Sequence, residues 1–377
     1  MIETPSLVDQ HCHGVLRTEL GLGTFEAQLG TAPGPAAPGT TFFDTQTGFA
    51  VRRWCPPLLG LEPHCTPARY LARRRELGVL ETGRRLLRAS GIGTYLVDTG
   101  VPGDLTGPAE IAAAGDAEAH EIVRLEPLAE QVADTSGTVE ALLANLVEAV
   151  HGAAATAVAF TSADGARRGL AHTPDPPGPG EVRGAAGRWL ARRAAGGRLT
   201  DPVLLRHLLW IAVASGRPLQ LHAGNGELAG LAGFATATSG LGTDLVLLHG
   251  YPHHRRAAQL AQAFPHVYAD LGPVLARTGA RAAAVLAELL ELAPFGKLLF
   301  SSGARALPEL HVVAASVFRS ALARVLGEWV GDGAWSRTDA QRVATMIAAG
   351  NARRVYGLDG QAAAGPDPGP GLTRPAW

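Results

Sequence analysis

Leu7-Val8-Asp9-Gln10-His11-Cys12-His13 closes the first apolar run of the chain with two histidines one residue apart. On a strand, residues i and i+2 share a face about 7 Å apart. Both imidazoles therefore reach one side, while Cys12 turns to the other and packs. If that strand belongs to a barrel, the shared side is the lumen, where two rings can grip one ion. Two more histidines end apolar runs: His222 in Pro218-Leu219-Gln220-Leu221-His222 and His249 in Leu245-Val246-Leu247-Leu248-His249. A lone histidine at such a place is more often a core or capping residue. Imidazole offered from three separate strand ends is better explained by the layout of a catalytic zinc-type site.

Working outward, short apolar runs bounded by breakers give eight strands. They are Leu7–Gln10, Thr94–Asp98, Ile122–Leu125, Ala155–Phe160, Pro218–Leu221, Leu245–Leu248, Val267–Asp270 and Leu298–Ser301. Helical patterns separate them at Tyr70–Ala89, Val139–Val150, Pro252–Phe264 and Ala280–Leu292. This alternation predicts an α/β chain folded as a (β/α)8 TIM barrel. A doubly wound sheet is the alternative, and the lack of a Gly-rich phosphate turn after any early strand counts against it. The expected organisation is one barrel domain over 1–358 and a disordered tail over 359–377. The barrel carries a long lid-like insertion after the first strand (14–69) and a helical insertion (174–216).

Composition narrows the function classes. A net charge of −1 and a pI near 6.9 give no electrostatic reason to expect nucleic acid or a membrane surface. The opening Met1-Ile2-Glu3-Thr4-Pro5 has no signal-peptide pattern, and no run of apolar residues reaches the ~18 needed for a span. Cys12, Cys55 and Cys65 are sparse and odd in number, which suits a reducing cytoplasm. Lys297 is the one lysine of the chain. It precedes the last strand, at the wrong end for a lysine carbamate bridging two metals, so a binuclear site of that type is not expected. The partner expected is a small-molecule substrate, with no nucleic acid or membrane, and a homo-oligomer is compatible with the sequence.

Barrel active sites lie at the C-terminal strand ends, and every histidine above passes that test. Asp98, Glu126, Thr161 and Asp270 end strands too. Asp98 and Asp270 are as readily helix caps or loop anchors, and Glu126 as readily complements a helix dipole.

The His-x-His opening, His222, His249 and the ending Asn351-Ala352-Arg353-Arg354-Val355-Tyr356-Gly357-Leu358 resemble the amidohydrolase superfamily. More narrowly they resemble its amidohydrolase-related branch of metal-dependent hydrolases and decarboxylases. The chain is also similar to the hydrolase domain found fused to glutamine-synthetase-like modules. The resemblance implies one divalent metal, zinc, on His11, His13 and His222, with His249 a fourth ligand or the group that polarises substrate. It breaks at Ser301-Ser302-Gly303-Ala304-Arg305, where Gly303 stands in place of the family's metal-binding aspartate. Thr161 stands where relatives often carry a lysine, and an inward Arg305 would oppose a dication. Glu309 and Asp270 are the carboxylates left to replace the missing base.

Three readings follow. The first is a metal-dependent hydrolase acting on a C–N or C–O bond with a reorganised base, His249 stabilising the oxyanion and Glu309 or Asp270 taking the proton. The second is a degenerate homologue that binds a ligand or partner without turnover, and the third is a metal-dependent decarboxylase or lyase. Arg53, Trp54 and Tyr251 are candidates for holding an anionic or aromatic substrate, against the equal expectation of a packed lid.

Overall fold

The computed structural model of the chain describes residues 2–30, 34–170, 173–193, 196–223 and 229–359. Eight parallel strands pair in chain order: β1 (Leu7–Cys12), β2 (Ile92–Asp98), β3 (Glu118–Arg124), β4 (Ala159–Ser162), β5 (Leu219–His222), β6 (Leu245–Leu248), β7 (Val267–Asp270) and β8 (Leu298–Leu299). Gln10 N–H donates to Phe300 O (3.1 Å) and His13 N–H to Ala304 O (2.8 Å). These bonds lay β1 against the segment after β8, and the sheet is a nearly closed barrel with helices between its strands. Each of the eight expected runs contributes a strand.

The boundaries move for physical reasons. β3 begins four residues before its apolar run, at Glu118, because its exposed first half is held by backbone pairing to β2 and needs no apolar pattern. The run Ala155–Phe160 loses its start to the Val139–Ala154 helix and its following turn. The single helix expected over Tyr70–Ala89 is two, Pro67–Leu77 and Val79–Ala89, broken at Gly78 with φ +78°. Only glycine takes that conformation without strain.

Val8, Leu96, Ile122, Ala159, Val246, Leu248 and Leu299 form one buried cluster inside the barrel. Ala352, Val355 and Tyr356 of the Asn351–Tyr356 helix join it. The larger cluster fills the space between strands and helices.

The insertion after β1 carries its own helices, Leu22–Leu29 and Gln46–Trp54. Phe25 stacks on Phe43 at 5.9 Å and meets Tyr70 edge-on at 6.2 Å, and the second helix lies along the Pro308–Gly331 and Val274–Thr278 helices. The later insertion holds the Pro179–Arg193 and Pro202–Ala214 helices. The Pro308–Gly331 helix holds no unbroken apolar run of that length but is long and apolar enough on average to cross a membrane by length and composition. It buries Val312, Val313, Phe318, Leu322 and Val325 in the core. The expected disordered tail, from residue 360 on, lies outside the described residues.

Candidate metal centre

β1 does not alternate strictly. Its register against β2 slips between Asp9 and Cys12, as a bulge requires. Asp9 faces outward, accepting from Ser302 N–H (2.7 Å) and the Ser302 hydroxyl. Gln10 and His11 both face the lumen, where they meet Gln220, Asp270 and Tyr356. Alternation resumes with Cys12 in the outer core and His13 inward.

Four imidazoles converge at the C-terminal mouth. The His11 ring lies 5.1 Å from His13, 5.3 Å from His222 and 5.5 Å from His249, and His222 and His249 are 4.8 Å apart. Ligand atoms of His11, His222 and His249 all fall within 4.8 Å of one another, and those of His11, His13 and Asp98 form a second such group. Both groups contain His11, the first adding His222 and His249 and the second His13 and Asp98.

Nδ1 of His11 bonds the Gln220 side-chain oxygen at 2.8 Å, and Nδ1 of His13 bonds the Asp98 main-chain oxygen at 3.2 Å. Among the described residues, His11 Nε2, His222 Nε2 and His249 Nδ1 are buried without a hydrogen-bond partner. Buried polar atoms are rarely left so, and three imidazoles whose ligand atoms lie this close fit a divalent ion. Burial pushes all four histidines below their usual pKa, His13 to about 3, with their mutual repulsion and Arg124 adding to it. Each ring is therefore neutral near pH 7, the form that ligates. His249 also holds φ +58°, a left-handed conformation rare outside glycine.

The carboxylates divide. Asp98, at the end of β2, accepts from Gly100 N–H and Arg124 Nε and lies 3.7 Å from His13. Burial raises its pKa, but His13 and Arg124 outweigh it and hold the group below its usual value. Asp270, at the end of β7, accepts at Oδ1 from Gly272 N–H (2.9 Å) and the Gln10 amide (3.1 Å). Burial pushes it up to about 6 against the pull of Ser301, Gly272, Gln10 and the His249 main chain.

Glu309 is not gathered with them. It is fully buried in the first turn of the Pro308–Gly331 helix, accepting from Tyr70 (2.8 Å) and paired with Arg74 (2.8 Å). Gly303 is beside the cluster: a Cβ there would lie 3.3 Å from His249 Cε1. Thr161 is buried at the end of β4, and Arg305 turns away to donate to Pro102 O. Arg53 and Trp54 stack on each other and line a 550 Å³ groove with Phe49, His64 and Arg324, to which none of the four histidines contributes. Tyr251 is 44% exposed and stacks on His254. Residues 224–228, after His222, lie outside the described residues.

Gln10, Gln220, Arg124 and Tyr356 escaped the sequence reading. Gln10 and Gln220 had left one signal, as polar residues inside otherwise apolar runs.

An amidohydrolase family model matches residues 104–358. Protein fluG of Emericella nidulans is 38% identical over 120 residues, 31% of this chain, and the match spans only 14% of that protein's length. Among solved structures, a Lactobacillus casei ATCC 334 protein assigned as a metal-dependent hydrolase aligns with TM-score 0.77 and 24% identity over 93% of this chain and 95% of that one. Uronate isomerase from Thermotoga maritima aligns with TM-score 0.62 and 14% identity over 93% and 94% of the two chains. At these identities the structural neighbours establish the shared barrel.

Proposed function

The chain belongs to the amidohydrolase family, and from that premise we propose that it is a metal-dependent hydrolase cleaving a C–N or C–O bond of a small molecule. One observation carries the reading: His11 Nε2, His222 Nε2 and His249 Nδ1 are buried, unpartnered and mutually close. These three histidines would hold one divalent ion. Zinc suits imidazole donors, and His13 stands beside them as a further donor. When bound, such an ion supplies Lewis-acid polarisation of the scissile carbonyl and a lowered water pKa.

The chain's own residues do the rest. Asp270, a lumen-facing carboxylate that burial pushes up to about 6, would serve as the base for water, since a general base works best with a pKa close to the working pH. Asp98 stays ionised, anchors Arg124 and orients His13. Arg124 adds a fixed positive charge near the four rings, which favours a substrate carrying negative charge or developing it. Glu309 is left to hold the Pro67–Leu77 helix on the barrel through Arg74 and Tyr70.

A second reading has its own observation. Gly303 brings no carboxylate to His249, which favours a family member that binds a ligand or performs a non-hydrolytic lyase step.

Elemental analysis of protein purified without chelator tests the centre. About one equivalent of zinc is expected, falling to near zero in His11→Ala/His222→Ala. Asp270→Asn should retain the metal and lower turnover of an ester, lactone and amide panel by about 10²–10⁴-fold. Metal content untouched by the histidine substitutions would refute the site. Full metal with no turnover on any member would favour the second reading.

A further inference from the structure

Beneath the histidines, the floor of the barrel holds a hydrogen-bond chain whose direction can be deduced. Gln220 precedes His222 by two residues on β5, so both side chains face the lumen. Its Nε2 lies 2.8 Å from the main-chain oxygen of Gln10. A carbonyl oxygen only accepts, so the amide nitrogen faces Gln10 and the amide oxygen faces His11 Nδ1, 2.8 Å away. That oxygen in turn only accepts. His11 Nδ1 therefore carries the ring hydrogen, and Nε2, unpartnered, keeps its lone pair toward the ion site.

The chain continues downward and across. The Tyr356 hydroxyl, 2.8 Å from Gln220 Nε2, accepts there and donates to Gln10 Oε1 at 2.6 Å. Gln220 Nε2 also reaches Gln10 Oε1 at 3.0 Å. With its oxygen filled by donors, Gln10 turns Nε2 to Asp270 Oδ1 at 3.1 Å. Gln10, His11 and Gln220 are fully buried, and Tyr356 and Asp270 nearly so. Reversing any amide would set two acceptors against each other in a water-poor interior, at a cost of about 1–3 kcal/mol per unpaired group. The orientations of both amides are thereby fixed, the second hydrogen of Gln220 Nε2 being shared between Tyr356 and Gln10 Oε1.

We propose that Gln220 and Gln10, with Tyr356 closing the chain, form a positioning relay that locks His11 in its Nδ1–H tautomer and orients Asp270. The relay's role toward metal rests on the centre proposed above; the tautomer itself does not. Groups that hold the second nitrogen of a ligating histidine commonly change metal affinity 10–100-fold when removed.

The test has two arms, on metal-free and metal-titrated full-length protein. In ¹⁵N-histidine-labelled, metal-free protein, two-bond ¹⁵N–¹H correlations distinguish the tautomers, and the His11 signals are identified by their loss in His11→Asn. The Nδ1–H form is expected in the natural protein and in Tyr356→Phe, which leaves the Gln10 main-chain oxygen on Gln220 Nε2. It should give way to Nε2–H in Gln220→Leu, which removes the acceptor facing His11 Nδ1. In the second arm, zinc affinity measured against a competing chelator should fall about 10- to 100-fold in Gln220→Leu. An Nε2–H His11 in the natural protein, or an Nδ1–H form that survives Gln220→Leu, would overturn the relay. Should Gln220→Leu fail to fold, Gln220→Met, which also removes the acceptor, decides by the same signal. The expected tautomers without zinc binding by the natural protein would refute the metal centre and leave the relay standing.

Discussion

Gly303 holds φ +55°, and a Cβ built on it would lie 2.9 Å from Pro273 Cδ. Both facts oppose a side chain, the first through the left-handed strain of roughly 1–2 kcal/mol borne by L-residues, the second through contact with a rigid ring. Gly303→Ala is expected to lower unfolding free energy by at least about 1–2 kcal/mol, read as a lower denaturant midpoint at unchanged slope. Gly303→Asp should lose as much and gain no metal affinity, because its carboxylate could reach the cluster only after Pro273 and His249 give way. A variant as stable as the natural protein that binds zinc more tightly would show the backbone there to be compliant. At this scale the sequence was legible where a residue's chemistry and its place in a run agreed, as for the four histidines that the fold brings together. It was not legible for Glu309, which lies six residues beyond Gly303 in sequence but whose carboxylate is spent on Arg74 and Tyr70. Nor was it legible for Arg124, whose approach to the rings depends on Asp98 from the neighbouring strand.

Strands fare better than single residues, because a strand buried on both faces must be apolar throughout and announces itself as a run. β6 and β7 have the expected bounds for that reason, while the polar start of β3 could be found only through its partner β2. The bulge in β1 escaped because alternation within the run cannot show which residue is extra. The closing Asn351-Ala352-Arg353-Arg354 pattern has a mechanical explanation. Asn351 Nδ2 donates to Phe295 O and Leu298 O, both at 2.8 Å, and Arg354 donates to Gly296 O. These bonds pin the last helix to the start of β8 and so hold Tyr356 under the barrel. Asn351→Ala strips two main-chain oxygens of their donor and should cost about 2–4 kcal/mol. The expected accompaniment is faster amide exchange in residues 351–356; a denaturation midpoint within error of the natural protein's would show that the helix is held by its apolar contacts alone.

For the whole molecule, the four histidines make stability depend on pH in a direction their environment dictates. All four have folded pKa values below the ordinary 6.5, His13 at about 3. As pH falls through 6.5 the unfolded chain takes up protons that the folded site refuses, so folding free energy is lost on acidification. Each of the four contributes in the same direction. Asp270 works in the opposite sense. Its folded value of about 6 lies above the ordinary 3.8, so protonation near pH 6 stabilises the fold, but one carboxyl offsets less than four imidazoles cost. Chelator-treated protein should therefore lose stability between pH 7.5 and 5.5 by urea denaturation. His222→Asn should lose less over the same interval. Zinc-saturated protein should resist the fall until protons compete for the ligands, because an ion on neutral imidazoles favours the folded chain by mass action. A chelated protein equally stable at both pH values would mean that the rings accept protons in place, and that the closeness of the four histidines does not make them a neutral, ion-ready set.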